Sequence, residues 1–297
     1  MFQQTVDSTE TITFDEAAHI LHVRIVDGTV NVVPTEGPAR LEVAALEGEP
    51  LEVTLIDGVL TVSYKDLSWA EVGVAVKSVE TVKSYFSGLR RKRRAEITVA
   101  VPAAAAVKVG TVSAHATVSG ITGEVAVNGA SGDTTLAGLT GPVSANTVSG
   151  DVDAEGLSGE LKVNTVSGAV TLVAGSATRI RAHSVSGAVT LDLDAATPTD
   201  IGVTTVSGAV GVRLPSFADA KVEAGTTSGT LSSAFAELAV GGGWGSKKLS
   251  GQLGSGAGRL QVTTVTGAVT VQRRPDAEED RPAKERTSGP LDLTKEA

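Results

Sequence analysis

From residue 123 to residue 172 apolar and polar positions alternate inside a nine-residue unit, each opened by a glycine: Gly123, Gly132, Gly141, Gly150, Gly159 and Gly168. Counting from the glycine, the third position holds Val125, Thr134, Val143, Val152, Leu161 and Val170, and the fifth holds Val127, Leu136, Ala145, Ala154, Val163 and Leu172. Between them stand Glu124, Asp133, Asp151 and Glu160, then Thr135, Ser144, Asp153, Lys162 and Thr171. A period of two is that of a strand with one face buried and one face wet. Each unit therefore predicts one short strand and a turn, with the third and fifth positions inward.

The turns alternate between Asn-Thr-Val-Ser-Gly, as at 146–150, and Glu-Gly-Leu-Ser-Gly, as at 155–159. Two units thus complete one coil of about eighteen residues, the mark of a repeat architecture whose stacked coils share a continuous core. Glycine fits a corner that needs positive φ or close backbone approach, and the preceding Ser can bond to the turned backbone. Asn128, Asn146 and Asn164 share one column, as a ladder of amides would. After Gly168 the Ser-Gly corner recurs at Gly187, Gly208, Gly229 and Gly251, with spacing widened to about 21 residues after Gly187, and a Thr-Gly version at Gly267 closes the series; we read these as successive coils. The predicted fold is all-β: a β-solenoid of about 18 to 22-residue coils over residues 96–272, preceded by a β-rich N-terminal cap.

That cap, residues 1–95, rests on the runs ILHVRIV (20–26), TVNVV (29–33), LEVAAL (41–46) and LEVTLIDGVLTVSY (51–64), the last with a hairpin signal at Asp57-Gly58. It ends in a basic segment, 77–94, where Val79, Val82, Phe86 and Leu89 follow helical spacing ahead of Arg90, Arg91, Lys92, Arg93 and Arg94. The five cations are candidates for contact with an anionic membrane or with nucleic acid. Residues 273–297 are charged and poor in apolar side chains, which predicts a disordered tail. The extra residues of the later coils fall at 195–200, 215–220 and 236–248, always on one edge, and Phe217, Phe235 and Trp244 in or beside them are candidate contacts for a protein partner.

Composition changes this picture little. Aromatics make up 3 % of the 297 residues, in keeping with many short strands of Val, Thr and Ala. The formal charge of −9 disfavours nucleic acid in the aggregate. The absence of cysteine excludes disulfides, thiolate nucleophiles and Cys-based metal sites, and four scattered histidines argue against a His-rich one. No secretory signal or long apolar run is evident, so the expected location is the cytoplasm. Asp133, Asp151 and Asp153 would converge on one face, as in a β-helix enzyme acting on acidic polysaccharide, but no cation lies near them on that face to hold such a substrate. GGGWGSKK at 241–248 lacks the spacing and following helix of a phosphate loop. No catalytic, metal or cofactor site is assigned.

The segment EITVAVPAAAAVKVGTVSAHATVSG, residues 96–120, followed by reiterated TVSGDV and TVSGAV, resembles the bacterial DUF4097 family of toastrack-like β-repeat proteins, which carries an adhesin label. The resemblance implies a non-enzymatic interaction or scaffold role, with related domains accompanying envelope-stress signalling proteins. It implies a protein partner or self-assembly through the solenoid ends, and brings no catalytic motif.

Overall fold

The computed structural model describes residues 1–65, 93–194, 199–243 and 245–274. All regular elements among them are strands, arranged in two long sheets whose inner faces share one apolar core. The first eight are β1 (Phe2–Val6), β2 (Glu10–Thr13), β3 (Ile20–Ile25), β4 (Asp27–Thr35), β5 (Arg40–Gly48), β6 (Leu51–Ile56), β7 (Val59–Tyr64) and β8 (Arg93–Pro102). From there the chain alternates between the sheets. It lays down β9 (Ala106–Thr111) and β10 (His115–Ser119), β11 (Val125–Gly129) and β12 (Thr134–Ala137), β13 (Val143–Thr147) and β14 (Val152–Glu155), then β15 (Glu160–Thr165) and β16 (Val170–Gly175). β17 (Arg179–Ser184) and β18 (Val189–Leu193) follow, then β19 (Asp200–Thr205) and β20 (Val210–Leu214). Odd-numbered strands of this series lie in the first sheet and even-numbered ones in the second.

Neighbouring coils are parallel and in register. Val125 faces Val143, and Val143 faces Leu161, an offset of 18 residues. The inward columns are buried: Val125, Val127, Leu136, Val152, Val163 and Leu172 are each at most 1 % exposed. Such columns suit Val, Leu and Ala because each side chain meets its like one coil away at the sheet spacing of about 4.8 Å.

Two kinds of glycine turn the chain. At the Ser-Gly corner the backbones nearly touch, so a Cβ on Gly150 would lie 2.1 Å from the Gly132 carbonyl oxygen, and one on Gly168 1.9 Å from that of Gly150. The same contact repeats from Gly187 to Gly168 and from Gly208 to Gly187. At the opposite edge Gly120, Gly138 and Gly156 adopt φ of 64°, 60° and 62°, the left-handed region that side chains avoid. The Ser-Gly corner is closed from inside by a threonine that pattern reading passed over. The buried Thr165 hydroxyl accepts from the Gly168 N–H at 3.0 Å, and Thr147 does the same for Gly150 at 3.1 Å. Ser167 Oγ donates to the Val148 carbonyl one coil back at 3.1 Å. The asparagine ladder is present, Asn164 to Asn146 at 2.7 Å and Asn146 to Asn128 at 3.0 Å.

The order of coils departs from the order of the chain at both ends. β3 and β4 do not belong to a separate cap: they form a coil lying between β7–β8 and β9–β10, parallel to both. The boundary drawn at residue 96 therefore cuts through β8. At the far end come β21 (Ala220–Thr226), β22 (Leu231–Ser233), β23 (Leu238–Gly243), β24 (Ser246–Leu253), β25 (Gly258–Thr264) and β26 (Val269–Arg273). β25 and β26 insert between the β19–β20 coil and the β21–β22 coil. Gly251 is no corner, since it sits in β24, which runs antiparallel between β21 and β23. Instead Gly267 stacks on Gly208 and Gly229 stacks on Gly267. The corners are chemically alike, so any stacking order satisfies the same local bonds, and the connections between coils decide which neighbour each one finds.

Two predictions test this account. Thr165→Val keeps the shape but strands a buried N–H, which should cost about 1–3 kcal/mol in a denaturant melt, whereas Gly168→Ala, which drives a methyl into backbone, should yield no folded protein by circular dichroism. The coil order can be read by oxidation in a chain with no native cysteine. Thr204→Cys with Thr263→Cys, direct partners across β19 and β25, should cross-link at a separation of about 4.8 Å. Thr204→Cys with Gly225→Cys, two strands apart, should not; the reverse result would restore the order of the chain.

Candidate functional site: the outer faces of the two sheets

Period-two alternation gives each strand two or three outward side chains, and register lines these up into columns across a whole face. On the first sheet the outward residues of β17 are Arg179, Arg181 and His183. Lys162 on β15 is the register partner of Arg181. Lys162 is exposed and has no charged or hydrogen-bonded partner among the described residues. Arg179 bonds Glu160 at 3.1 Å across the same face, and Arg181 bonds Asp200, holding that carboxyl below the usual carboxylate range. The Arg181 side chain runs over Gly202, where a Cβ would come within 3.1 Å of its Cδ. Ahead of these cations lies a shallow depression of about 270 Å³, floored by Ser144 and Pro142 and edged by Glu124, Glu160, Lys162, Arg179 and Arg181.

The second sheet carries the opposite sign. Asp153 and Glu155 point outward from β14, the exposed Asp151 stands just before it, and Asp133 lies one coil away. Two of these carboxylates do structural work at the strand starts: Asp133 accepts from the Asp151 N–H at 3.0 Å, and Asp151 accepts from the Ala169 N–H at 2.7 Å. The convergence of Asp133, Asp151 and Asp153 thus has a backbone explanation. Among the described residues no group of three His, Cys, Asp or Glu side chains is placed to hold a metal ion. Around the acidic strand the floor is short, as the column through Asp153 reads Thr117, Thr135, Asp153, Thr171 and Thr190.

The side chains singled out by sequence fare differently. Arg90, Arg91, Lys92 and Trp244 lie outside the described residues, as does all of 77–92. Arg93 is not available to an anionic surface: it is 8 % exposed, bonds Glu49 at 2.6 Å, and lies 5.5 Å over the ring of Tyr64, whose hydroxyl burial pushes up to about 12. Arg94 is exposed and paired with Glu96 at 2.9 Å. Both begin β8, so alternation turns one inward and the next outward, a distinction that a run of five cations conceals. Phe217 is 64 % exposed, but Phe235 is 4 % exposed and stacked under Arg273 at 5.3 Å, where it fills the core near the end of the second sheet. Lys162, Arg179 and Arg181 were missed because charge was read along the chain. Tallied column by column they stand out.

Phe235→Ala should therefore destabilise the fold by about 3–5 kcal/mol, and Phe217→Ala should change it by no more than about 0.5 kcal/mol, both read from chemical melts. Equal costs would place both rings in the core.

Among curated proteins no relative matches the chain. Three solved structures align over most of it. A protein of Clostridium sporogenes described as a cell adhesion protein is 10 % identical and covers 91 % of this chain and 100 % of its own, with a TM-score of 0.24. A Parabacteroides distasonis protein described as lipid-binding is 11 % identical over 90 % and 97 %, with a TM-score of 0.48. A Bacteroides fragilis protein described as an adhesin is 12 % identical over 90 % and 97 %, with a TM-score of 0.41. At these scores the three carry no argument about what this chain binds. The sequence model of one family does match, over residues 57–272, which is more than two-thirds of the chain and takes in every Ser-Gly corner of the stack. On that match the chain belongs to the Toastrack DUF4097 family.

Proposed function

We propose that the chain is a non-enzymatic interaction module that binds a macromolecular partner through the outer faces of its sheets. One observation carries this reading: charges of opposite sign are gathered on two rigid, broad faces, cations on β15 and β17 and carboxylates on β14 and at the starts of β12 and β14. A parallel sheet locked by corner contacts presents such charges with little entropy left to lose on binding, which favours recognition by an extended surface. Three of the side chains with chemical potential are occupied within the fold. Asp133 and Asp151 accept backbone N–H groups, and Arg93 is paired inside the fold. The adhesin label that comes with the family fits a surface of this kind, and the loop aromatics contribute only Phe217 to the described exterior.

The reading is tested by placing a photo-crosslinking residue at Lys162, at Asp153 or at Phe217 of the full chain and irradiating intact cells. Adducts are expected from the two face positions. Absence of adducts from both overturns the reading, whatever Phe217 captures.

A further inference from the structure

We infer that the partner of each face is the opposite face of a second copy, so that the molecules stack sheet against sheet; this rests on the face-binding reading above and names its occupant. The basis is a match between two strands on opposite sides of one molecule. β14 presents Asp153 and Glu155 outward, with the exposed Asp151 just before the strand and bonded to the Ala169 N–H, and β17 presents Arg179, Arg181 and His183 outward. Alternate residues of a strand are about 6.6 Å apart, so both triplets have the same spacing. Setting Asp153 opposite Arg181 brings the flanking carboxylates of one copy over Arg179 and His183 of the other, whichever way the strands run.

The surroundings permit that approach. Asp153 stands between Thr135 and Thr171, above a short floor, and Arg181 stands between Gly202 and Lys162, so that a further cation lies beside it. Arg179 and Arg181 already touch Glu160 and Asp200; the Arg179–Glu160 pair is exposed and contributes little, while Arg181, half-buried, is held in place by the Ile180 and Asp200 carbonyls and the Asp200 carboxylate. Eight neighbouring strands of the first sheet, β9 to β21 in stacking order, extend about 34 Å, and a strand of five residues spans about 17 Å. One face then offers roughly 600 Å² and a pair roughly 1,200 Å², the lower end of specific interfaces. Each contact is weak by itself. Because one molecule carries both signs on opposite sides, the contact is heterologous and does not close, which generates a linear stack. The net charge of −9 opposes association at long range. At 0.1 M salt, however, screening acts beyond about 10 Å and spares charges in contact.

The experiment is sedimentation equilibrium of the full chain from 10 to 500 µM (concentrations on the order used for weak association) at about 0.1 M and about 0.5 M salt. One variant carries Asp153→Lys and Glu155→Lys, which places two cations on the acidic face and cancels the charge of Asp133 and Asp151; the other carries Arg179→Glu and Arg181→Glu, which makes both faces anionic. Wild type should gain mass with concentration at the lower salt, and association should weaken at least about tenfold at the higher. Each variant alone should remain a monomer, and an equimolar mixture of the two should associate again. That recovery would exclude misfolding as the cause of the individual losses. A monomeric wild type, variants that associate as wild type does, or a mixture that stays monomeric would each overturn the inference. Face adducts to a different protein, with the chain monomeric throughout, would reject the second copy and leave the face-binding reading intact.

Discussion

The close approach of glycine backbones at the Ser-Gly corner is the contact on which the rest of the structure depends. Gly150 on Gly132, Gly168 on Gly150, Gly187 on Gly168 and Gly208 on Gly187 leave no room for a Cβ. Every corner must therefore sit directly on the one before, and no coil can slip by a residue without lodging a side chain where a carbonyl stands. A slip would also exchange the inward and outward sets of every strand, burying Asp153 and exposing Val152 and Ala154. The threonine inside the corner supports this lock by satisfying the N–H that the tight turn would otherwise bury unpaired, at Thr147, Thr165, Thr205, Thr226 and Thr264 alike.

Register enforced in this way turns a linear sequence into columns. An inward column becomes a continuous core that few aromatics need to fill. An outward column becomes an array in which residues eighteen or more positions apart act as neighbours, so that Lys162 meets Arg181 and Asp133 meets Asp151. The faces are consequently broad ordered surfaces, and their charge is set one residue per coil. At the alternate edge Gly120, Gly138 and Gly156 turn the regular coils by positive φ, and the longer connections of the later coils fall on that same edge. There the lengthened connections leave the in-register corner undisturbed.

Most of the repeat was legible in advance. Period-two alternation identified the strands, the nine-residue glycine spacing identified the coil, and the asparagine column appears as drawn, because all three are local consequences of one backbone geometry repeated. The Thr-Val-Ser-Gly motif also held the buried threonine in plain sight, but an isolated Thr reads as an outward residue until the corner is known to wrap around it. The candidate site was less legible. Arg93 and Phe235 were singled out for their chemistry, and both turned inward: a cation at the start of β8 found Glu49 and Tyr64, and an aromatic near β22 found a core to close.

Across the regular coils from residue 123 to 172 the sequence by itself determined which residues form strands, which side of each strand is buried and where the chain turns, since these follow from interactions between residues a few positions apart or one repeat apart. The tertiary structure alone decided the order in which coils stack, with β3–β4 and β25–β26 entering between coils that precede or follow them in the chain. It also decided which scattered charges share a face. The physical reason is the same for both: equivalent corners offer equivalent bonds, so local energetics leave the partner of each coil undetermined. The choice falls to connections and end strands whose contacts span the molecule.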